Sequence, residues 1–132
     1  MKHTFFLLPL FMLVACQQPI DERLADETRQ WTETNCPKII DEITRLDSMS
    51  YDKASKTLHY WYSVSGEADN DAFWLCYDAQ RPLHKQQIAD QLRVNTEMKN
   101  IVAQKRNIQY NYRSISTRKL LYALQVTPAD YQ

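Results

Sequence analysis

The stretch "SKTLHYWYSVSG", residues 55–66, decides the fold. Leu58, Tyr60, Tyr62 and Val64 alternate with Thr57, His59, Trp61 and Ser63, a period of two built from residues that favour extended backbone. A strand of this kind buries one face and leaves the other wet. The same alternation returns twice near the C-terminus. In "NIQYNYRSIS" (107–116), Ile108, Tyr110 and Tyr112 alternate with Gln109, Asn111 and Arg113. In "RKLLYALQVTP" (118–128), Leu120, Tyr122, Leu124 and Val126 alternate with Leu121, Ala123 and Gln125. Thr117-Arg118 falls in the turn between these two runs, and Pro128 ends the second. Three strands therefore offer an aliphatic and tyrosine face to a common core.

Upstream, residues 42–51 read as a partner strand to 56–65, joined by a turn at Asp52-Lys53-Ala54-Ser55. "DERLADETRQWTETN" (21–35) predicts a helix with Asp21 as cap, acidic residues in the first turn, and a thin stripe of Leu24, Thr28 and Trp31. Asn35-Cys36-Pro37 stops it, because a residue before proline avoids the α region. "GEADND" (66–71) is a polar loop, and residues 72–106 are helical in character. There Pro82 suits a first turn, Ile88, Ala89 and Leu92 make one face, Asn95 or Thr96 recaps, and Met98, Ile101 and Val102 make a second. The expected fold is a single α+β domain: an N-terminal helix, then β-β-α-β-β, with a four-stranded antiparallel sheet covered by helices. Buried tyrosines need partners for their hydroxyls, so some should sit at the core margin.

Before that domain, Met1-Lys2-His3 and the apolar run Thr4–Ala15 have the form of a secretory signal, too short to span a bilayer. Leu13-Val14-Ala15-Cys16 resembles the bacterial lipobox. The resemblance implies cleavage after Ala15, lipidation of Cys16, and stable anchoring through more than one acyl chain. The other reading is a secreted protein whose Cys16 is incidental. Gln17 stands where an aspartate would resemble an inner-membrane retention signal, so the expected place is the Gram-negative outer membrane, facing the periplasm. The expected division is signal peptide 1–15, lipid-anchored tether 16–20 and a domain over 21–132.

Loss of Lys2 leaves 15 basic against 16 acidic residues on the mature 117, a balance with no footprint for nucleic acid. One glycine, Gly66, is too few for a phosphate-cradling loop. Cys36 and Cys76 form an even pair in an oxidising compartment and so suggest a disulfide, worth about 4 kcal/mol for a loop of this length. Two thiols too far apart to bridge are the alternative. Neither cysteine has a second ligand at metal-binding spacing, and neither cofactor nor metal is expected.

Residues 36–64 ("CPKIIDEITRLDSMSYDKASKTLHYWYSV") and 94–128 ("VNTEMKNIVAQKRNIQYNYRSISTRKLLYALQVTP") resemble a loose group of small secreted or lipid-anchored bacterial proteins. The resemblance implies the α+β fold and carries no activity. It places a second cysteine near Asn95, where this chain has Cys76 instead.

Catalysis needs a nucleophile, a base and charge stabilisation in one place. His59 and His84 are the mature chain's histidines, and neither sits in a hydrolase-like motif. Glu67, Asp69 and Asp71 have the alternate spacing of a calcium loop, but Ala72 stands where its glycine is needed. The pairs Asp21-Glu22 and Asp41-Glu42 lack the separation of a glycosidase dyad. The expected protein is non-enzymatic. "HYWYS" (59–63) is the interaction candidate: Trp61 and His59 point away from the tyrosine face, and Arg113 lies near them if the strands are neighbours. Alternatively the N-terminal helix covers Trp61 and makes a second small core with Leu24 and Trp31. The expected role is a protein-binding or envelope-assembly accessory with a membrane-bound lipid and a protein partner. An inhibitor or immunity protein is the second reading, and it calls for a protruding loop such as 66–72.

Overall fold

The computed structural model describes residues 19–132; the expected signal peptide and Cys16 lie outside them. Helix α1 (Ile20–Asn35) precedes strands β1 (Lys38–Ile39), β2 (Thr44–Asp52) and β3 (Thr57–Val64). A 3-10 turn (Gly66–Ala68), α2 (Asp71–Asp78), α3 (Arg81–Val94) and α4 (Lys99–Ala103) follow. The chain ends with β4 (Asn107–Ser114), β5 (Leu120–Val126) and a last turn of helix, α5 (Pro128–Tyr131). The strands form one sheet in the order β1-β2-β3-β4-β5.

The α+β class is as the alternation implied, with two differences. The sheet has five strands, because two residues after Pro37 pair with Arg45 and Leu46 on β2. It is also mixed: β3 and β4 run parallel, Thr57 facing Asn107 through Val64 facing Ser114, whereas the other neighbours are antiparallel. The reason is the helical connection. It carries the chain from the end of β3 back to the end where β3 began, and such a crossover is what parallel neighbours require.

All helical cover lies on the aliphatic and tyrosine face. Leu58, Ile108 and Val126 pack with Leu24 of α1, Ala89 and Leu92 of α3, Ile101 of α4 and Tyr131 of α5. Val64, Tyr122 and Leu124 pack with Ala68 and Trp74. Across the parallel seam, Tyr60 stacks on Tyr110 and Tyr62 on Tyr112, each with ring centroids 5.0 Å apart. Such pairs add about 0.5–1.5 kcal/mol beyond the area they bury. Burial pushes the Tyr60 phenol up to about 12 and raises those of Tyr62, Tyr110 and Tyr112 as well. The Tyr60 hydroxyl reaches Met98 Sδ at 3.5 Å, a margin contact of the expected kind.

Helix α1 guards one edge of the sheet. The Thr32 hydroxyl both donates to the Met49 carbonyl and accepts from the Met49 N–H, each at 2.9 Å. Those backbone groups lie beyond the short β1 and would otherwise be open to a foreign strand. Asp21 does not cap the helix; Pro19 holds that position. Its carboxylate instead accepts from the Tyr51 hydroxyl (2.6 Å) and Arg106 Nε (3.0 Å), tying the first turn of α1 to the sheet. The hydrogen bond from Tyr51, helped by Arg106, lowers the Asp21 carboxyl.

Candidate functional site

The face of the sheet away from the helices is an open array of polar and aromatic side chains. Its centre is Trp61 on β3. The His59 ring stacks against it at 5.4 Å, and the Arg113 guanidinium from β4 lies 5.0 Å above its centroid. Period-two geometry places His59, Trp61 and Ser63 on this face, and the in-register parallel pairing brings Gln109, Asn111 and Arg113 beside them. The sequence-predicted trio His59, Trp61 and Arg113 is therefore brought together. The alternative cover by α1 does not occur, since Leu24 packs into the core on the opposite face and Trp31 is exposed.

Each member is fixed by neighbours. Trp61 Nε1 donates to Ser50 Oγ at 3.0 Å. Asn111, 1% exposed, sets the histidine: its amide nitrogen donates to His59 Nδ1 (3.0 Å) and to the Tyr60 carbonyl (3.2 Å), while its oxygen accepts from Gln109 (2.8 Å). An amide nitrogen can only donate, so Nδ1 is the unprotonated nitrogen of the ring. Burial lowers the His59 imidazole in agreement with this, opposed by the charge of Asp52.

Asp47 organises the arginines, and sequence reasoning missed it. The register slips between Leu46 and Ser48, and Asp47 is the extra residue of this bulge. A bulge turns a side chain out of the regular alternation. The carboxylate accepts from Arg45 Nε at 2.7 Å and from the Ser63 hydroxyl, and lies 3.9 Å from Arg113 Nη2. Arg118 reaches Ser63 Oγ at 3.2 Å. The Arg113 Nε is buried with no hydrogen-bond partner, an unmet donor within the array. The available sequence signal was the acidic Asp47 inside an otherwise regular strand.

The remaining candidates fall elsewhere. Cys36 and Cys76 are free thiols, correcting the expected disulfide. Cys36 follows α1 beside β1, at one edge of the sheet, whereas Cys76 is on α2, which packs by β5 at the other edge. Bridging requires Cα atoms within about 7 Å, and strands spaced roughly 4.8 Å apart separate these edges too widely. His84 stacks on Tyr77 at 3.8 Å in an open cleft of about 570 Å³ between α2 and α3, remote from His59. Asp69 accepts from Ser116 (2.8 Å) and Asp71 pairs with Lys119 (3.5 Å). Among the described residues no group of three His, Cys, Asp or Glu side chains is placed to hold a metal ion. The 66–72 segment is exposed for the most part but pinned at Ala68, which is 1% exposed and whose carbonyl accepts from Trp74 Nε1 at 2.8 Å.

A helix-backed mixed sheet with one bare polar and aromatic face defines a small α+β module without a deep enclosed site among its described residues. The chain belongs to a family described as a domain of unknown function (DUF8479), whose model matches residues 19–122. No curated protein sequence matches it. Its fold is similar to that of a Pseudomonas aeruginosa protein thought to be secreted, at TM-score 0.64 and 13% identity, covering 87% of this chain and 98% of that one. It is also similar to a pilotin of the type 2 secretion system of Vibrio vulnificus, at TM-score 0.53 and 12% identity, covering 85% and 94%.

Proposed function

We propose that this protein is a non-enzymatic outer-membrane lipoprotein, anchored through Cys16, that binds a protein of the envelope through the open sheet face. The observation that carries the reading is the His59–Trp61–Arg113 array on a face that none of the described helices covers. Tryptophan and arginine held in fixed rotamers lose little freedom on binding, which is why they dominate interface energetics. Ser50 supplies that fixation for Trp61 and Asp47 for Arg113. Support for an envelope setting comes from the signal-like leader and from a fold shared with a secretion-system pilotin. By analogy, the partner is a component of a secretion or envelope-assembly machine.

The test compares full-length wild type with Trp61→Ala, isolated from detergent-solubilised envelopes. A stoichiometric envelope protein should co-purify with the wild type and be depleted at least tenfold with the variant. Equal recovery with both would remove the open face from the interaction. Separately, Cys16→Ser should leave the precursor unprocessed or release the domain from membranes. Normal maturation and fractionation of that variant would end the anchoring reading.

A further inference from the structure

The end of the domain from which the chain leaves toward Cys16 carries three lysines with no ion pair among the described residues. Helix α1 starts at Ile20, and Asp21 is bound to Tyr51 near the end of β2 and to Arg106 just before β4. The same end holds the β2–β3 turn with Lys53 and Lys56, and the α4–β4 turn with Lys105. The Asn107 N–H donates to the Lys56 carbonyl at 2.9 Å, so these turns lie side by side. Lys56 and Lys105 both adopt left-handed backbone, φ 54° and 57°. All three lysines are exposed, and the salt bridges of the described residues involve other cations.

Two of the nearby carboxylates are engaged by local hydrogen bonds, though Asp52 stays exposed. Asp52 accepts from the backbone of Ala54 and Ser55, and Asp21 from Tyr51 and Arg106. Lys56 is close enough to Asp21 to help lower its carboxyl. Glu22 is exposed on the first turn of α1. The cations Lys53, Lys56, Lys105 and Arg106 thus outnumber the carboxylates Asp21, Glu22 and Asp52 at this end, and the three lysines are the exposed ones without an ion pair among the described residues.

Position then decides the partner. Three residues lie between Cys16 and Ile20, a span of at most about 14 Å over four residue steps. A lipid on Cys16 would hold these turns within side-chain reach of headgroups. Lysines near an anionic surface are attracted over about a Debye length. We infer that Lys53, Lys56 and Lys105 seat the tethered domain against anionic phospholipid headgroups, fixing its orientation on the bilayer. This rests on the proposed lipidation of Cys16. In that orientation the β1–β2 loop, at the opposite end of β2 from the lysine-bearing turn, faces away from the membrane.

The full-length lipoprotein is reconstituted in vesicles of phosphatidylcholine alone or with added phosphatidylglycerol, and treated with a membrane-impermeant amine reagent. Labelling of each lysine is read by mass spectrometry. Lys53, Lys56 and Lys105 should be labelled roughly threefold less on the anionic vesicles, a difference lost in high salt. Lys38 and Lys119, at the other end, should not change. Equal labelling of the three on both vesicles, with acyl chains present on Cys16 in the same spectra, overturns the headgroup contact and leaves the anchor intact. A bare Cys16 overturns both. Protection of Lys38 or Lys119 instead would reverse the proposed orientation and refute it.

Discussion

Replacing Asp47 with alanine should unfasten the open face at its base. The carboxylate is 14% exposed and receives Arg45 Nε, the Ser63 hydroxyl and, at 3.9 Å, Arg113 Nη2. Ser63 is 1% exposed, so its stranded hydroxyl proton costs about 1 kcal/mol. Arg45 and Arg113 are 36% and 29% exposed, and solvent screening reduces their two pairings to about 1 kcal/mol together. The total is about 2 kcal/mol, or roughly 8 °C in melting temperature for a domain of this size. Asp47→Asn keeps the volume and an acceptor for Ser63 while removing the charge, so it should lose about half as much. Urea unfolding with an unchanged m-value provides the measurement. An alanine variant within about 0.5 kcal/mol of wild type would show that the bulge carboxylate does not hold the arginines as described. Equal losses for asparagine and alanine would show that the Ser63 bond contributes nothing.

Thr32→Val keeps the shape of α1 but leaves the Met49 N–H and C=O without their partner; it should cost about 1–2 kcal/mol in urea unfolding, and a neutral result would mean water replaces the hydroxyl without loss. Because burial lowers the folded His59 imidazole below its ordinary 6.5, the unfolded chain binds the proton more readily, so stability is full above pH 6.5 and declines as pH falls toward the folded value. His59→Gln should abolish that decline, and an unchanged pH profile by thermal denaturation would assign it to another group. Arg113→Lys retains the charge but loses the planar stack on Trp61, so it should weaken the partner recovered with wild type at least fivefold while changing stability by under about 1 kcal/mol. Full retention of that partner would reduce Arg113 to a simple charge.

The tyrosine strands were legible because period two is written directly into residues 57–64, 107–114 and 120–126, the segments that form β3, β4 and β5. Their relative direction was not, since Leu58-Tyr60-Tyr62 alternates identically beside a parallel or an antiparallel neighbour. The grouping of His59, Trp61 and Arg113 could be anticipated for the same reason: parity puts all three on one face, and adjacency needed only β3 beside β4. Asp47 was hidden by its bulge, which breaks the parity rule that sequence reading depends on. Cys36 and Cys76 misled because an even number of thiols says nothing about the distance between them. Asp21 looked like a cap from its local context, but Tyr51 and Arg106, 30 and 85 residues away, claim its carboxylate.

The parallel seam also shapes how the chain can assemble. Every pairing within β2–β3 and β4–β5 joins segments near in sequence, so each hairpin has little loop entropy to overcome. The seam is different, because each of its contacts links residues fifty positions apart, as Thr57 and Asn107 show. Two hairpins of early, local origin must therefore meet late, and the stacked phenol rings between them act as the clasp. A chain synthesised N-terminus first cannot complete this union until its last quarter has arrived, which leaves the first hairpin's inner edge uncovered until then.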